Sequence, residues 1–218
     1  MNKTRNTRFW NNLEKKIYDG VGLYGIPEIK PEKWEPCDFI AFDKAKMCTN
    51  RNDVGVHFFL DDYLFDRIWN QFDRYMKMLS YFKAVLSPDW SLYTDWPTAV
   101  NIWSHYRKHY VGAYLQDMGV KVYPTIEWSD RKSIRWCFDG EPVGSCVAIS
   151  SVGTQRSSDS KRNFLYGYYA MIERLAPETI LFWGNVPKEC SGNIVRMEAL
   201  QEKIRKKAGD NRSERVSD

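Results

Sequence analysis

The feature that most constrains this chain is a short apolar run that ends in carboxylates and feeds into a periodic helix. Val56-His57-Phe58-Phe59-Leu60 reads as a strand, and Asp61-Asp62 stop it. Beyond it, Leu64, Phe65, Ile68, Trp69, Phe72, Tyr75, Met76, Leu79 and Phe82 recur at three- and four-residue spacings. Asp66, Arg67, Asn70, Asp73, Arg74 and Lys77 fill the other side. A helix with one such face must bury it, and a sheet alongside is the natural cover.

The same grammar recurs along the chain. Further strands are expected over residues 38–42, 84–86, 120–126, near 134–138, 146–150 and 179–183. Asp43, Asp89, Glu127-Trp128 and the polar loop 151–160 follow four of them. A second helix is expected over 97–118, with Pro97 in its first position and Gly119 as its C-terminal cap. A third carries Phe164, Leu165, Tyr168, Met171, Ile172 and Leu175 and stops before Pro177; Ile194, Met197, Leu200 and Ile204 suggest a last one.

Alternating strands and helices predict an α/β fold, a mainly parallel sheet with flanking helices. About seven strands fit a small or incomplete β/α-barrel-like form, or alternatively an open doubly wound sheet. Polar residues at nearly every strand end favour the barrel, which would gather them on one rim. The organisation expected is an N-terminal arm and loop over 1–36, a single α/β domain over 37–190, and a C-terminal helix and disordered tail over 191–218.

Composition excludes little. Charged residues make up 28% of 218 and the net charge is +4, which permits an anionic partner without demanding one. Aromatics reach 15%, enough for either aromatic-heavy packing or a stacking surface for bases or sugars. Five scattered cysteines without a CxxC pair indicate neither a zinc ribbon nor a disulfide framework. With no apolar leader and no run of membrane-spanning length, the expectation is a cytoplasmic protein with reduced thiols and no membrane partner.

Candidate chemistry gathers at the strand ends. Asp43, Asp61, Asp62, Asp89, Asp95 and Glu127 form an acidic rim. Asp61, Asp89 and Glu127 are the strongest candidates, because each directly follows a strand or its terminal turn; Asp62 is better placed as a helix cap. Carboxylates meeting there can hold Mg²⁺ or Mn²⁺ and activate water on a phosphoester, or act as acid and base on a glycosidic bond. Arg107 projects among Val100, Trp103, Tyr110 and Tyr114, on the sheet-facing side of its helix, where it can anchor a carboxylate or hold an anion.

Ser150, Ser151, Gly153 and Arg156 belong to a strand–loop–helix junction leading to Lys161, a shape that cradles phosphate. It lacks the P-loop pattern, so no nucleotide-cofactor motif is present. Trp128 and His57 are further substrate-binding candidates, His57 more as a core residue or a support than as a direct ligand. His105 and His109 lie four apart on a helix, but no Glu follows His105, so HExxH is absent and solvent exposure is expected for both.

The combination VHFFLDD, LSPDWSLYTDWP, IWSHYRKHYVGAYLQDMGVKVYPTIEW and LAPETILFWG resembles family 4417 of the domains of unknown function, over roughly residues 20–185. The resemblance implies a bacterial, phage or mobile-element setting and carries no catalytic residue across. Two functional classes follow. One is a hydrolase or transferase acting on a phosphate-containing or nucleic-acid substrate. The other is a non-catalytic accessory protein that binds nucleic acid or protein.

Overall fold

The computed structural model describes residues 15–198. Seven parallel strands carry the architecture: β3 (Asp38–Ala41), β4 (Val54–His57), β5 (Ala84–Leu86), β6 (Val122–Tyr123), β7 (Cys146–Ser150), β8 (Thr179–Trp183) and β9 (Ile194–Met197). They lie side by side in sequence order, β3-β4-β5-β6 in one sheet and β7-β8-β9 in another. A parallel bridge between Thr125 and Ala148 joins the two. The Ile126 amide donates to the Ala148 carbonyl and the Ala148 amide to Pro124, so the ladder continues across the junction.

Strictly sequential order does not occur in a doubly wound sheet, whose order reverses at a switch point. The interior confirms the curl. Phe39, Ala84, Leu86, Tyr123, Cys146, Ala148, Leu181 and Met197, from six different strands, pack in one buried cluster. Side chains so far apart along a sheet meet only if the sheet wraps around them. Gly55 gives the inner face room on β4, since a Cβ there would lie 2.5 Å from the Phe39 ring. β3 and β9 do not pair; Trp34, Cys37, Phe39, Leu181, Val195 and Met197 line the opening between them. The result is an incomplete β/α barrel, with no closed ring of strands.

Helices cover the outside. α1 (Phe42–Ala45), α2 (Arg67–Asn70), α3 (Phe72–Leu79) and α4 (Thr98–Asp117) pack over the β3–β6 half, and α5 (Ser158–Leu175) over β7 and β8. The long helix expected after β4 is interrupted: Gln71, at φ −121° and ψ 50°, separates α2 from α3. Neither Asp61 nor Asp62 caps the turn that follows β4. The Asp62 carboxylate instead accepts from the Ser91 amide and hydroxyl, tying the β4 loop to the β5 loop.

Three other expectations change. Residues 134–138 form a turn and not a strand, because Asp130 and Ser133 close a hydrogen-bonded turn that carries the chain into a 3₁₀ segment at Ser133–Arg135. Ile194–Met197 is the strand β9 and not the start of a helix, since pairing with β8 outweighs a narrow apolar stripe; residues beyond 198 lie outside the described region. A short hairpin, β1 (Gly20–Val21) with β2 (Ile26–Pro27), occupies the loop region before the barrel and docks on α4. That docking buries Ile26 and Ile29, with Ile29 against Gly112, where a Cβ would come within 2.7 Å of it.

Covering α4 on both sides explains its composition. Asn101, Ser104, His105, Lys108, His109 and Gly112 are all buried, so the exposure expected for the two histidines does not occur. If the hairpin is integral to the fold, Ile29→Ala should cost about 2–5 kcal/mol, the usual range for large-to-small core changes. Urea unfolding of the full chain measures it, and a loss under 0.5 kcal/mol, of the order of an exposed substitution, would mean a loosely attached arm.

Candidate functional site

Because all seven strands run the same way, their carboxyl ends share one face, and a cleft of about 1000 Å³ opens there. Its floor comes from the segments after β4, β5 and β6, and its wall from the β7–α5 loop, the start of α5 and Trp183 at the end of β8. Asp61, Asp89, Glu127, Trp128, Ser150, Gly153 and Arg156 all line it. The fold therefore brings together the three strand-end carboxylates and most of the polar loop.

The β5 and β6 exits are locked to each other. Thr125 donates its hydroxyl to the Ser87 carbonyl, and the Ser87 hydroxyl accepts from the Thr125 amide, both at 2.8 Å. This fixes Asp89, two residues past Ser87, against Glu127, two past Thr125. Burial pushes Asp89 up to about 7 from its ordinary 3.8, with Lys108 pulling it down and Asp62 adding to the rise. Burial drives Glu127 well above the usual carboxylate range, and Asp89 adds to that. Two like charges in one poorly solvated corner resist joint ionisation. One Glu127 oxygen, Oε1, is buried without a hydrogen-bond partner.

Beneath this pair lies Lys108, whose side chain is 0% exposed. Its ammonium donates to the Thr125 carbonyl and to Glu141 Oε1, both at 2.8 Å, and stands 4.0 Å from Glu127 Oε1. Burial alone would depress it; Glu141, Glu127 and Asp89 outweigh burial and raise it above its ordinary value. A cation of this kind, buried under paired carboxyls, is the residue that periodicity concealed. Asn101, Ser104, His105, Lys108 and Gly112 fall at three- and four-residue spacings, the signature of a buried face. The face is polar, so a search for apolar stripes passes over it.

Aromatic rings supply much of the wall: Phe59, Tyr93, Trp128, Phe164 and Trp183. Trp128 is seated flat against α5 at Gly167, where a Cβ would lie 2.1 Å from the indole. Its ring also meets Phe164 at 5.5 Å between centroids. The adjoining Asn163 donates to the Ser129 carbonyl and lines the cleft as well.

The remaining candidates sit elsewhere. Arg107 does not line the cleft: it pairs with Asp66 at 2.8 Å and lies over Trp90 at 4.4 Å and Trp103 at 5.6 Å, clamping the β4 loop. Asp66 offered a nearer partner than any strand-end carboxylate. Lys161 turns from the cleft to Glu189, 2.7 Å away, and the buried Ser151 hydroxyl donates to the Asn185 carbonyl. His57 points into the barrel, 4.6 Å from the Trp183 ring centroid, and burial lowers it to about 4. It supports the aromatic floor as a neutral ring. Asp43 pairs with Lys44.

With this cleft at the strand ends, the molecule is an incomplete β/α barrel of the type whose ligands bind on the carboxyl face. The family model described as Domain of unknown function (DUF4417) matches residues 18–201. The chain belongs to that family. It is 33% identical over 196 residues to the "Gene 1 protein" of Mycobacterium phage L5, covering 85% of this chain and 86% of that one. It is 32% identical over 193 residues to the "Gene 1 protein" of Mycobacterium phage D29, covering 84% and 72%. No solved structure matches the chain. All five cysteines carry free thiols, and no helix among the described residues is long and apolar enough to cross a membrane.

The Trp128 seat yields a direct test. Gly167→Ala forces the indole off α5, and overpacking of this kind costs about 1–3 kcal/mol. A red-shifted tryptophan emission relative to wild type is expected, and an unchanged spectrum with unchanged stability would contradict the packing.

Proposed function

We propose that the cleft is the active site of a hydrolase or transferase acting on a phosphate-containing or nucleic-acid substrate by carboxylate acid/base chemistry. The observation that carries this reading is the Asp89–Glu127 pair, held together by the Ser87–Thr125 lock with both carboxyls raised. A pair that keeps a proton near neutrality contains an acid and a base at once. Glu127, raised well above the usual carboxylate range by burial and lining the cleft, is suited to protonate a leaving group. Asp89, at about 7, is suited to take a proton from water or a hydroxyl. Asp61 lines the same cleft and completes the acidic floor.

The substrate class follows from the walls. Ring faces stack bases without regard to sequence, and Arg156 at the rim offers a cation to a phosphate. Ser150 and Gly153 frame the same edge. Lys108 already places a positive charge 4.0 Å from Glu127, which favours acid/base work over Mg²⁺ or Mn²⁺ held by Asp61, Asp89 and Glu127.

Incubating the full chain with single- and double-stranded DNA, RNA and a nucleotide mixture, with products read by mass spectrometry, tests the proposal. Wild type should release product, with a rate that rises as Asp89 ionises through about 7 and falls as Glu127 loses its proton. Asp89→Asn and Glu127→Gln should each lose about 10²–10⁴-fold while remaining folded. Equal turnover by the variants, or none by wild type on any substrate, would sink the reading.

The raised carboxyl also has a signature in stability. Asp89's folded value of about 7 exceeds its ordinary 3.8, so the folded chain holds a proton that the unfolded chain releases. Stability therefore falls as pH rises through that window. Asp89→Asn should be more stable than wild type above about pH 7, and the gap should close by about pH 4. Chemical unfolding at several pH values measures it.

A further inference from the structure

We infer that His105, His109 and Glu141 form a site for a first-row transition-metal dication of the Zn²⁺ class, outside the cleft and separate from its acid/base pair. The two histidines stand one turn apart on α4, and Glu141 comes from the turn before β7. One ligand atom from each lies within 4.8 Å of the others, and all three residues are buried. None of them lines the cleft.

Hydrogen-bond accounting points to the ion. A backbone carbonyl only accepts, so His109, with Nδ1 2.9 Å from the Pro27 carbonyl, must carry a proton on Nδ1. His105, with Nε2 3.1 Å from the Asp139 carbonyl, must carry one on Nε2. The remaining nitrogens, His109 Nε2 and His105 Nδ1, then hold lone pairs. His109 Nε2 faces Glu141 Oε1 at 2.9 Å, an acceptor facing a carboxylate. His105 Nδ1 and Glu141 Oε2 are buried and have no partner.

A proton between His109 and Glu141 would satisfy that one contact and leave the other two atoms orphaned. A dication satisfies all three. Fixing each imidazole by a carbonyl on its far nitrogen is also how proteins orient metal-binding histidines. Two imidazoles and a carboxylate select Zn²⁺, Co²⁺ or their neighbours over Mg²⁺ or Ca²⁺.

The charges facing the site are consistent with a cation. Lys108, 2.8 Å from Glu141 Oε1, opposes it, but Lys108 is shared among Glu141, Glu127 and Asp89, three carboxyls around one ammonium. Both imidazoles are buried, and each is held by a backbone carbonyl at its far nitrogen, which leaves the near nitrogen to serve as the ligand. Zn–N bonds of about 2.0–2.1 Å require the three groups to close in slightly by side-chain rotation. The ion would pin three separate pieces together: α4, the turn before β7 and, through Pro27, the β1–β2 hairpin.

The full chain, stripped with a chelator, is titrated with Co²⁺ followed by visible absorption and with Zn²⁺ by calorimetry. One equivalent should bind. His105→Gln keeps an amide donor near the Nε2 position and removes the Nδ1 ligand; His109→Asn does the same for Nδ1 and Nε2. Both should stay folded by circular dichroism and bind at least about 10-fold more weakly. Nitrogen-15 spectra should show His105 Nδ1 shifting on Zn²⁺ addition, a readout that survives any failure of the variants to fold. No uptake by wild type, undiminished uptake by folded variants, or a doubly protonated His109 that Zn²⁺ leaves unchanged would each overturn the site.

Discussion

A fully buried ammonium is the constraint to which much of this structure answers. Removing Lys108 from water costs several kcal/mol unless partners restore what solvation gave. Those partners come from everywhere: the Thr125 carbonyl beyond β6, Glu141 from the turn before β7, and Glu127 and Asp89 from the cleft floor. Satisfying one charge therefore fixes α4 against two strand exits and a distant turn. It also sets the cleft's electrostatics, since the ammonium that opposes protonation of Asp89 and Glu127 is outweighed by their burial.

The curl of the sheet does the rest of the assembly. Parallel strands in sequence order, wrapped around an inner cluster of Phe39, Leu86, Tyr123, Ala148 and Leu181, bring every strand exit to one face. Carboxylates separated by 28 and 38 residues along the chain become floor-mates without any one loop reaching far. The open seam between β3 and β9 lies on a different lining from the cleft, so incomplete closure does not disturb the exits of β4 to β8.

Aromatic packing separates the two roles that arginine and tryptophan play here. Trp90 and Trp103 hold Arg107 against Asp66 and make it a structural clamp. Trp128 and Trp183, at strand exits, remain part of the cleft wall. The distinction rests on position in the fold and not on residue type.

Periodicity in the sequence determined the α/β class, strands β5, β7 and β8 to the residue, and α4 to within a residue at each end. The carboxylates after β4, β5 and β6 were legible because a residue directly following a parallel strand has only one rim to occupy. What lay in long-range partnership was not legible. Arg107 on a sheet-facing stripe is indistinguishable from a ligand-binding residue until Asp66 appears beside it. His105 and His109 look like an exposed pair on a helix until the hairpin and the turn before β7 cover them. Residues 134–138 and 194–197 exchanged roles, because pairing with a neighbouring strand, not local pattern, decides what becomes a strand. Local spacing thus marked the apolar faces that pack inward; only the tertiary structure decided what covers the polar ones and what each buried residue meets.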